Sequence, residues 1–342
     1  FVLHRGVRKG IEVANKFMLP ALIVLFSILV IRAVTLDGAA TGLNAFFKPN
    51  WDSILDGKVW VAAYSQIFFS LSIGFAIMVT YSSYLSRKSD ITNNAFITGF
   101  ANSGFQLLAG IGVFSILGFM AMQQGVEVSE VVSGGVGLAF VVFPQIINQL
   151  PALNGLFGFL FFGSLMLAGF TSLISILETF VAGVEEKFKV TRTRAVLLGG
   201  GLAAIISILF SSRGGLYFLD VVDYFINNFG VALAGLIEVI AIAWIARQLK
   251  DLQDHANAIS DIKIGLWWRI CLGLITPVVL GYMMFDNFRT NLKENYEGYA
   301  TWFLSVYGWG IVAAVIVVGI IFSFIRGKNA NIPPVESKEV SQ

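Results

Sequence analysis

Residues 66–84 read QIFFSLSIGFAIMVTYSSY, and the rest of the chain is best read outward from that stretch. It is apolar enough to enter a membrane, yet Ser70-Leu71-Ser72-Ile73-Gly74 places two hydroxyls and a glycine where a lipid-facing helix would carry leucine. A helix loosened inside the bilayer exposes carbonyls and two half-helix ends. Such groups can hold a cation and a small zwitterion where they line a cavity. The stretch predicts a weakened span with a binding site near its middle.

Around it the composition is that of a membrane protein. Of 342 residues, 56% are hydrophobic and 13% charged, and the mean hydropathy is +0.79. An ordinary soluble domain carries about 25% charge. Runs of about 20 apolar residues mark spans, and eight are found: 15–35, 60–84, 95–121, 155–182, 193–212, 217–246, 266–286 and 301–325. The fold class is an all-α polytopic membrane protein. Alternate loops collect Arg5, Arg8 and Lys9, then Arg87 and Lys88, then Lys187, Lys189, Arg192 and Arg194, then Arg247, Lys250 and Lys263, and finally Arg326 and Lys328. The intervening loops are poorer, so both ends of this chain are expected on the cytoplasmic side. A net charge of +2, dispersed over short loops, indicates no nucleic-acid partner. Cys271 stands alone in an apolar run and offers neither a disulfide framework nor a multi-cysteine metal site.

Residues 1–328 are expected to form one transmembrane domain. The polar, proline-bearing tail 329–342 reads as disordered and cytoplasmic. Residues 123–150 are long for a connector, and their second half, GVGLAFVVFPQIINQLP running on to Pro151, is apolar and uncharged. They read as a packed external lid, or as a ninth short span, against which stand the short apolar run and Pro144. The opening FVLHRG resembles the last turn of an apolar segment running into a basic loop, which implies a missing true N-terminus.

Polar residues inside the spans carry the chemistry. Ala168, Thr171 and Ser172 stack on one helical face by their offsets of three and four. A carbonyl and two hydroxyls there suit sodium, a hard cation, or they serve the preceding turn and close helix packing. Asn102 and Gln106 share a face, as do Gln66 and Ser70. These amides either join helices or complete an ion shell together. Asp220 and Asp223 mark a gate or an acidic helix start. Glu178 and Glu238 lie within spans, and each needs a partner or a proton. Glu185 and Glu186 fit a solvated helix end. His4 and His255 are isolated in loops, and no nucleophile–base pair or metal-ligand set of an enzyme is visible.

QIFFSLSIGF (66–75), then Ala101-Asn102 ahead of Gln106, then AGFTS (168–172), then DVVDYF (220–225) together resemble the neurotransmitter:sodium symporter family, closest to its bacterial amino-acid transporters. The likeness covers the chain apart from its tail. It implies an inverted five-plus-five repeat of which these eight spans match the fifth to twelfth helices, the first four being absent. It also implies sodium-coupled import of a small apolar or aromatic amino acid by alternating access, across a bacterial plasma membrane. By this resemblance Phe69, Ser70, Ser72, Phe75, Ser172 and Ile176 line the substrate pocket. Sodium ions take Ser70 and Asn102 at one site, and the Ala168 carbonyl with Thr171 and Ser172 at another. Asp223 matches the outer gate and Ser83 with Tyr84 the inner one, where Glu186 replaces the usual aspartate. Chloride-independent members carry glutamate at the position of Gln106 and chloride-dependent ones serine, so a chloride site among Gln66, Ser70, Asn102 and Gln106 is left open. The competing readings are an ion channel, which wants a continuous polar stripe, and a non-transporting membrane fragment.

Overall fold

The computed structural model describes residues 1–131, 137–149 and 152–325. The tail 329–342 lies outside the described residues, as do Arg326 and Lys328. Among the described residues all regular structure is helical: α1 (Lys9–Val34), α2 (Ala39–Phe47), α3 (Gly57–Ser70), α4 (Ile77–Ser82), α5 (Ile91–Gln124), α6 (Leu138–Asn148), α7 (Asn154–Phe188), α8 (Arg192–Phe210), α9 (Gly215–Ile245), α10 (Leu249–Ile259), α11 (Leu266–Gly298, regular as far as Lys293) and α12 (Thr301–Phe324).

Seven of these helices, α1, α5, α7, α8, α9, α11 and α12, are long and apolar enough to cross a membrane. They coincide with seven of the eight apolar runs. The eighth run, 60–84, is not one helix but two, α3 and α4, parted at residues 71–76. The outer faces suit lipid: Leu197, Leu198, Ile205 and Ile208 of α8 are each 64–69% exposed, a surface that water would penalise.

Two packing groups meet at the parted helix. In one, α1 lies against α5 and α7, α2 against α5, and α8 against α7. The α2–α5 contact is backbone to backbone, because a Cβ on Gly118 would lie 2.4 Å from the Gly42 nitrogen. In the other group, α9 packs on α11 and α12, with Val221, Phe225, Phe229, Leu304 and Val312 as its core. α3 belongs to the second group, its Phe68 buried with Ala232, Leu280 and Met283, whereas α4 packs on α7 of the first. Of the 123–150 stretch, α6 is packed down: Val142, Phe143 and Ile146 are buried among residues of α1, α5 and α7. With about eleven residues it is too short to span a bilayer.

The start of α5 is fastened to the loop after α10. Asp90 Oδ1 accepts the Asn93 N–H (3.1 Å) as an N-cap, its Oδ2 accepts the Asp261 N–H (3.4 Å), and the Thr92 N–H donates to Ser260 Oγ (3.1 Å). The Asn93 N–H in particular holds the Asp90 carboxyl below its ordinary range. A lowered folded-state value means the carboxylate stabilises this junction above the ordinary carboxylate range, and that the contribution is lost as pH falls through the lowered value. Thermal scans of the full-length protein between neutral and acid pH should show a steeper acid loss than for Asp90→Asn, which keeps a capping oxygen without the charge.

Candidate functional site

The sequence places the break at Ser70–Gly74; in the structure Ser70 closes α3 and the break runs over residues 71–76. Beyond Ser70 the N–H groups reach back irregularly: Leu71 to Ile67 O (3.1 Å), Ser72 to Phe69 O (3.0 Å) and Ile73 to Phe68 O (3.1 Å). Four-residue bonding is restored with Thr80 N–H to Ala76 O (3.0 Å). Ser72 (φ 52°), Gly74 (83°) and Ala76 (55°) are left-handed. Glycine adopts that conformation freely, but serine and alanine do so only under constraint, a strain that concentrates at functional sites. Gly74 is also required for space, since a Cβ there would lie 2.7 Å from Val231 O of α9. α9 widens into a five-residue-bonded turn over Ile226–Val231, the height at which it meets the break.

A cavity of about 620 Å³ opens along the break, a size usual for small-molecule sites. All six residues expected to line a substrate pocket, Phe69, Ser70, Ser72, Phe75, Ser172 and Ile176, stand on its wall, with Asn102 and Thr171. Asn102 Nδ2 donates to Ser70 Oγ (3.2 Å), tying α5 to α3. On α7, Thr171 Oγ1 donates to Ala168 O (2.8 Å), so these two oxygens are adjacent. Ser175 Oγ donates to Thr171 O (3.1 Å) and receives the Tyr81 hydroxyl of α4 (2.9 Å). Donation to the preceding turn uses the hydroxyl proton and leaves oxygen lone pairs for a hard cation. Gln66 and Gln106 are not on this wall: Gln66 is exposed, and Gln106 lies half-buried one turn from Asn102. Of the four chloride candidates, then, Asn102 and Ser70 are the pair brought together.

At the α4 end of the break, Glu178 is fully buried and does have partners. Tyr84 OH donates to its Oε1 (3.1 Å), and Arg192 of α8 grips both carboxylate oxygens, Nη1 to Oε1 at 3.1 Å and Nη2 to Oε2. Arg192 also reaches Glu185 Oε2 (3.3 Å) and Leu3 O (2.7 Å). Glu185, read from sequence as a solvated helix end, is therefore part of a network. Ser83 Oγ bonds Thr80 O (2.6 Å) within its own turn. Glu186 is exposed and is not brought to Tyr84, whose hydroxyl goes to Glu178 instead.

Toward the other end, Asp223 Oδ1 accepts from Asn227 (2.9 Å), and Asp220 accepts the Tyr299 (3.0 Å) and Tyr296 (3.4 Å) hydroxyls. Four polar cavity residues escaped the reading of the sequence: Asn15 of α1, Thr98 of α5, Ser175 of α7 and Asn227 of α9. Each is a polar side chain in an apolar helix, the signal that picked out Asn102. Glu238 faces a separate cavity of about 310 Å³, among Phe68, Ile73 and Trp268.

A polar cavity along a parted helix, inside a bundle with apolar outer faces, defines an integral multi-pass membrane protein that can admit a small solute. The chain belongs to the sodium:neurotransmitter symporter family, whose model matches residues 1–329. It is 40% identical over 325 residues to an uncharacterized sodium-dependent transporter of Methanocaldococcus jannaschii, a match covering 95% of this chain and 66% of that protein. It is 32% identical to the sodium-dependent nutrient amino acid transporter 1 of Drosophila ananassae, over 82% of this chain and 44% of the relative. With the sodium- and chloride-dependent glycine transporter 2 of Xenopus laevis it shares 30%, over 92% and 41%. The chain thus spans between 41% and 66% of the length of these relatives. The family consists of sodium-coupled transporters, not enzymes.

The geometry separates the two glutamates of α7. Removing one partner of a buried ion pair costs about 3–5 kcal/mol, whereas an exposed substitution stays within about 0.5 kcal/mol. Glu178→Ala should therefore depress the unfolding temperature of the purified full-length protein strongly, while Glu186→Ala leaves it nearly unchanged.

Proposed function

We propose that the full-length protein is a sodium-coupled symporter that imports a small apolar or aromatic amino acid by alternating access, with residues 1–328 as the larger part of its transport domain. The observation that carries this reading is the cavity of about 620 Å³ along the break, whose wall holds the six candidate substrate residues with Asn102 and Thr171; Ala168 adjoins it through its hydrogen bond from Thr171. The Thr171, Ser172 and Ala168 oxygens form one sodium site, and Ser70 with Asn102 contributes to a second. Phe69, Phe75 and Ile176 take the substrate's side chain. In this reading the membrane is a bacterial plasma membrane and the basic loops lie on its cytoplasmic side, as the excess of Lys and Arg favours, so the starts of α1 and α5 face inward, Asp223 gates the outer end and Tyr84 with Ser83 the inner. The ion-channel reading would want polar lining from end to end, whereas this cavity mixes hydroxyls with Leu19, Leu71, Ile77 and Met78.

The primary test is counterflow of radiolabelled amino acids in sodium-loaded and sodium-free proteoliposomes holding the full-length protein. Exchange that proceeds equally without sodium overturns the coupling. Leucine, tyrosine and tryptophan should compete better than lysine or glutamate, because burying an unpaired charge costs far more than losing a methylene.

Thr171→Val keeps side-chain shape and deletes one ligand oxygen. The sodium concentration for half-maximal transport should rise, about tenfold for each 1.4 kcal/mol of lost binding. An unchanged half-saturation removes Thr171 from the sodium site.

The neutral Gln106 leaves a negative charge to be supplied beside the Asn102–Ser70 pair, and we take chloride to supply it. Replacing chloride by gluconate should lower transport, and Gln106→Glu should restore it by fixing the charge in place. Full activity in chloride-free, sodium-containing buffer would show that the amide suffices.

A further inference from the structure

Asn15 stands on the cavity wall, yet its Oδ1 is withdrawn from solvent and has no hydrogen-bond partner. A buried acceptor left unpaired is costly, and in a native protein it calls for an explanation. Because Oδ1 makes no bond, rotating the carboxamide to turn it into the cavity breaks none. Asn15 and Thr98 each lie about two turns from the ends at which α1 and α5 begin, while Asn227, bonded to Asp223, marks the opposite direction. The other polar groups on the wall toward this end are the hydroxyls of Thr98, Thr171, Ser172 and Ser175 and, one turn from Thr98, the Asn102 amide. Their neutral oxygens suit a hard cation, and the hydroxyl protons of Thr171 and Ser175 are already donated to the backbone carbonyls of Ala168 and Thr171.

We infer that Asn15 is an inner sodium ligand: a station on the cytoplasmic side of the Thr171–Ser172 face, where its amide oxygen receives the ion as it leaves. This rests on the sodium-symport reading. The amide oxygen turns toward the ion and back, so the station is transient and weaker than the Thr171–Ser172 site. External sodium meets that site first. Sodium in the cytoplasm meets Asn15 first.

The test measures uptake by the full-length protein in proteoliposomes while luminal and external sodium are varied separately. Asn15→Leu removes the amide at similar volume. It should raise the luminal sodium concentration that half-inhibits uptake about tenfold, the loss of one ligand worth about 1.4 kcal/mol, and leave the external half-saturation where it was. Asn15→Asp should lower the luminal value by adding a charge. Luminal and external dependences that both stay put, or that shift together in either variant, overturn the inference. So does a fall in thermal stability of Asn15→Leu without a luminal shift, which would make the amide structural only. A parent protein with no sodium dependence fails the symport reading itself, and the parent measurement alone reveals that.

Discussion

Everything in this molecule turns on keeping six residues, 71–76, out of helical bonding inside an apolar bundle. Backbone groups freed from a helix cannot be left to hydrocarbon, so such a break survives only where it is walled by protein or by a polar cavity. Here α9 provides the wall. Gly74 lies on Val231 O with no room for a side chain, and Gly235 makes way for the Phe68 ring, to which a Cβ would come within 2.7 Å. The wide turn of α9 at Ile226–Val231 sits opposite the break, so two irregular backbones face one another. On the other side the cavity takes the remaining polar groups.

The break also divides the packing. α3 is anchored by Phe68 among Ala232, Leu280 and Met283, in the group built from α9, α11 and α12. α4 is anchored on α7 by the Tyr81–Ser175 hydrogen bond and, just past its end, by Tyr84 on Glu178. A rotation of one group against the other bends the α3–α4 span at residues 71–76, whose left-handed Ser72 and Ala76 already hold backbone away from its preferred wells. This is hinge geometry, in which a short segment takes up the φ/ψ change while the packed bodies stay rigid.

How much of this could be read in the sequence follows from what helical periodicity does and does not carry. The break was legible because Ser70, Ser72 and Gly74 are residues a lipid-facing helix avoids. The Ala168–Thr171–Ser172 face was legible because offsets of three and four fix neighbours on one helix. Periodicity says nothing about how one helix is rotated against the next. That phase is set by contacts such as Gly42 on Gly118, which read as ordinary glycines until the backbones meet. Hence Asn102 meets Ser70 while Gln66 and Gln106, each on a shared face with one of them, stay off the cavity wall. The need of Glu178 for a partner was legible, but that the partner is Arg192, across the α7–α8 turn, was not. Asn15 was missed because it stands between Glu12 and Lys16 in the polar first turns of α1, where one more polar residue marks no face.

The same physics sets the two ends of the cavity apart. At the α4 end the fastening is a fully buried carboxylate held by a guanidinium and a phenol, with Glu185 and Leu3 O drawn in by the same Arg192. Opening that end exposes a desolvated charge pair to water, which regains hydration as it loses partners, so ions and solvent entering from that side weaken the lock they meet. Toward the other end Asp223 is held by an amide, and Asp220 by the Tyr296 and Tyr299 hydroxyls. Neutral donors satisfy a carboxylate without cancelling its charge, so ionised acids here still attract cations. A path with uncancelled acids at one end and a neutralised pair at the other is electrostatically asymmetric, and the proposed orientation puts the cation-attracting end outside.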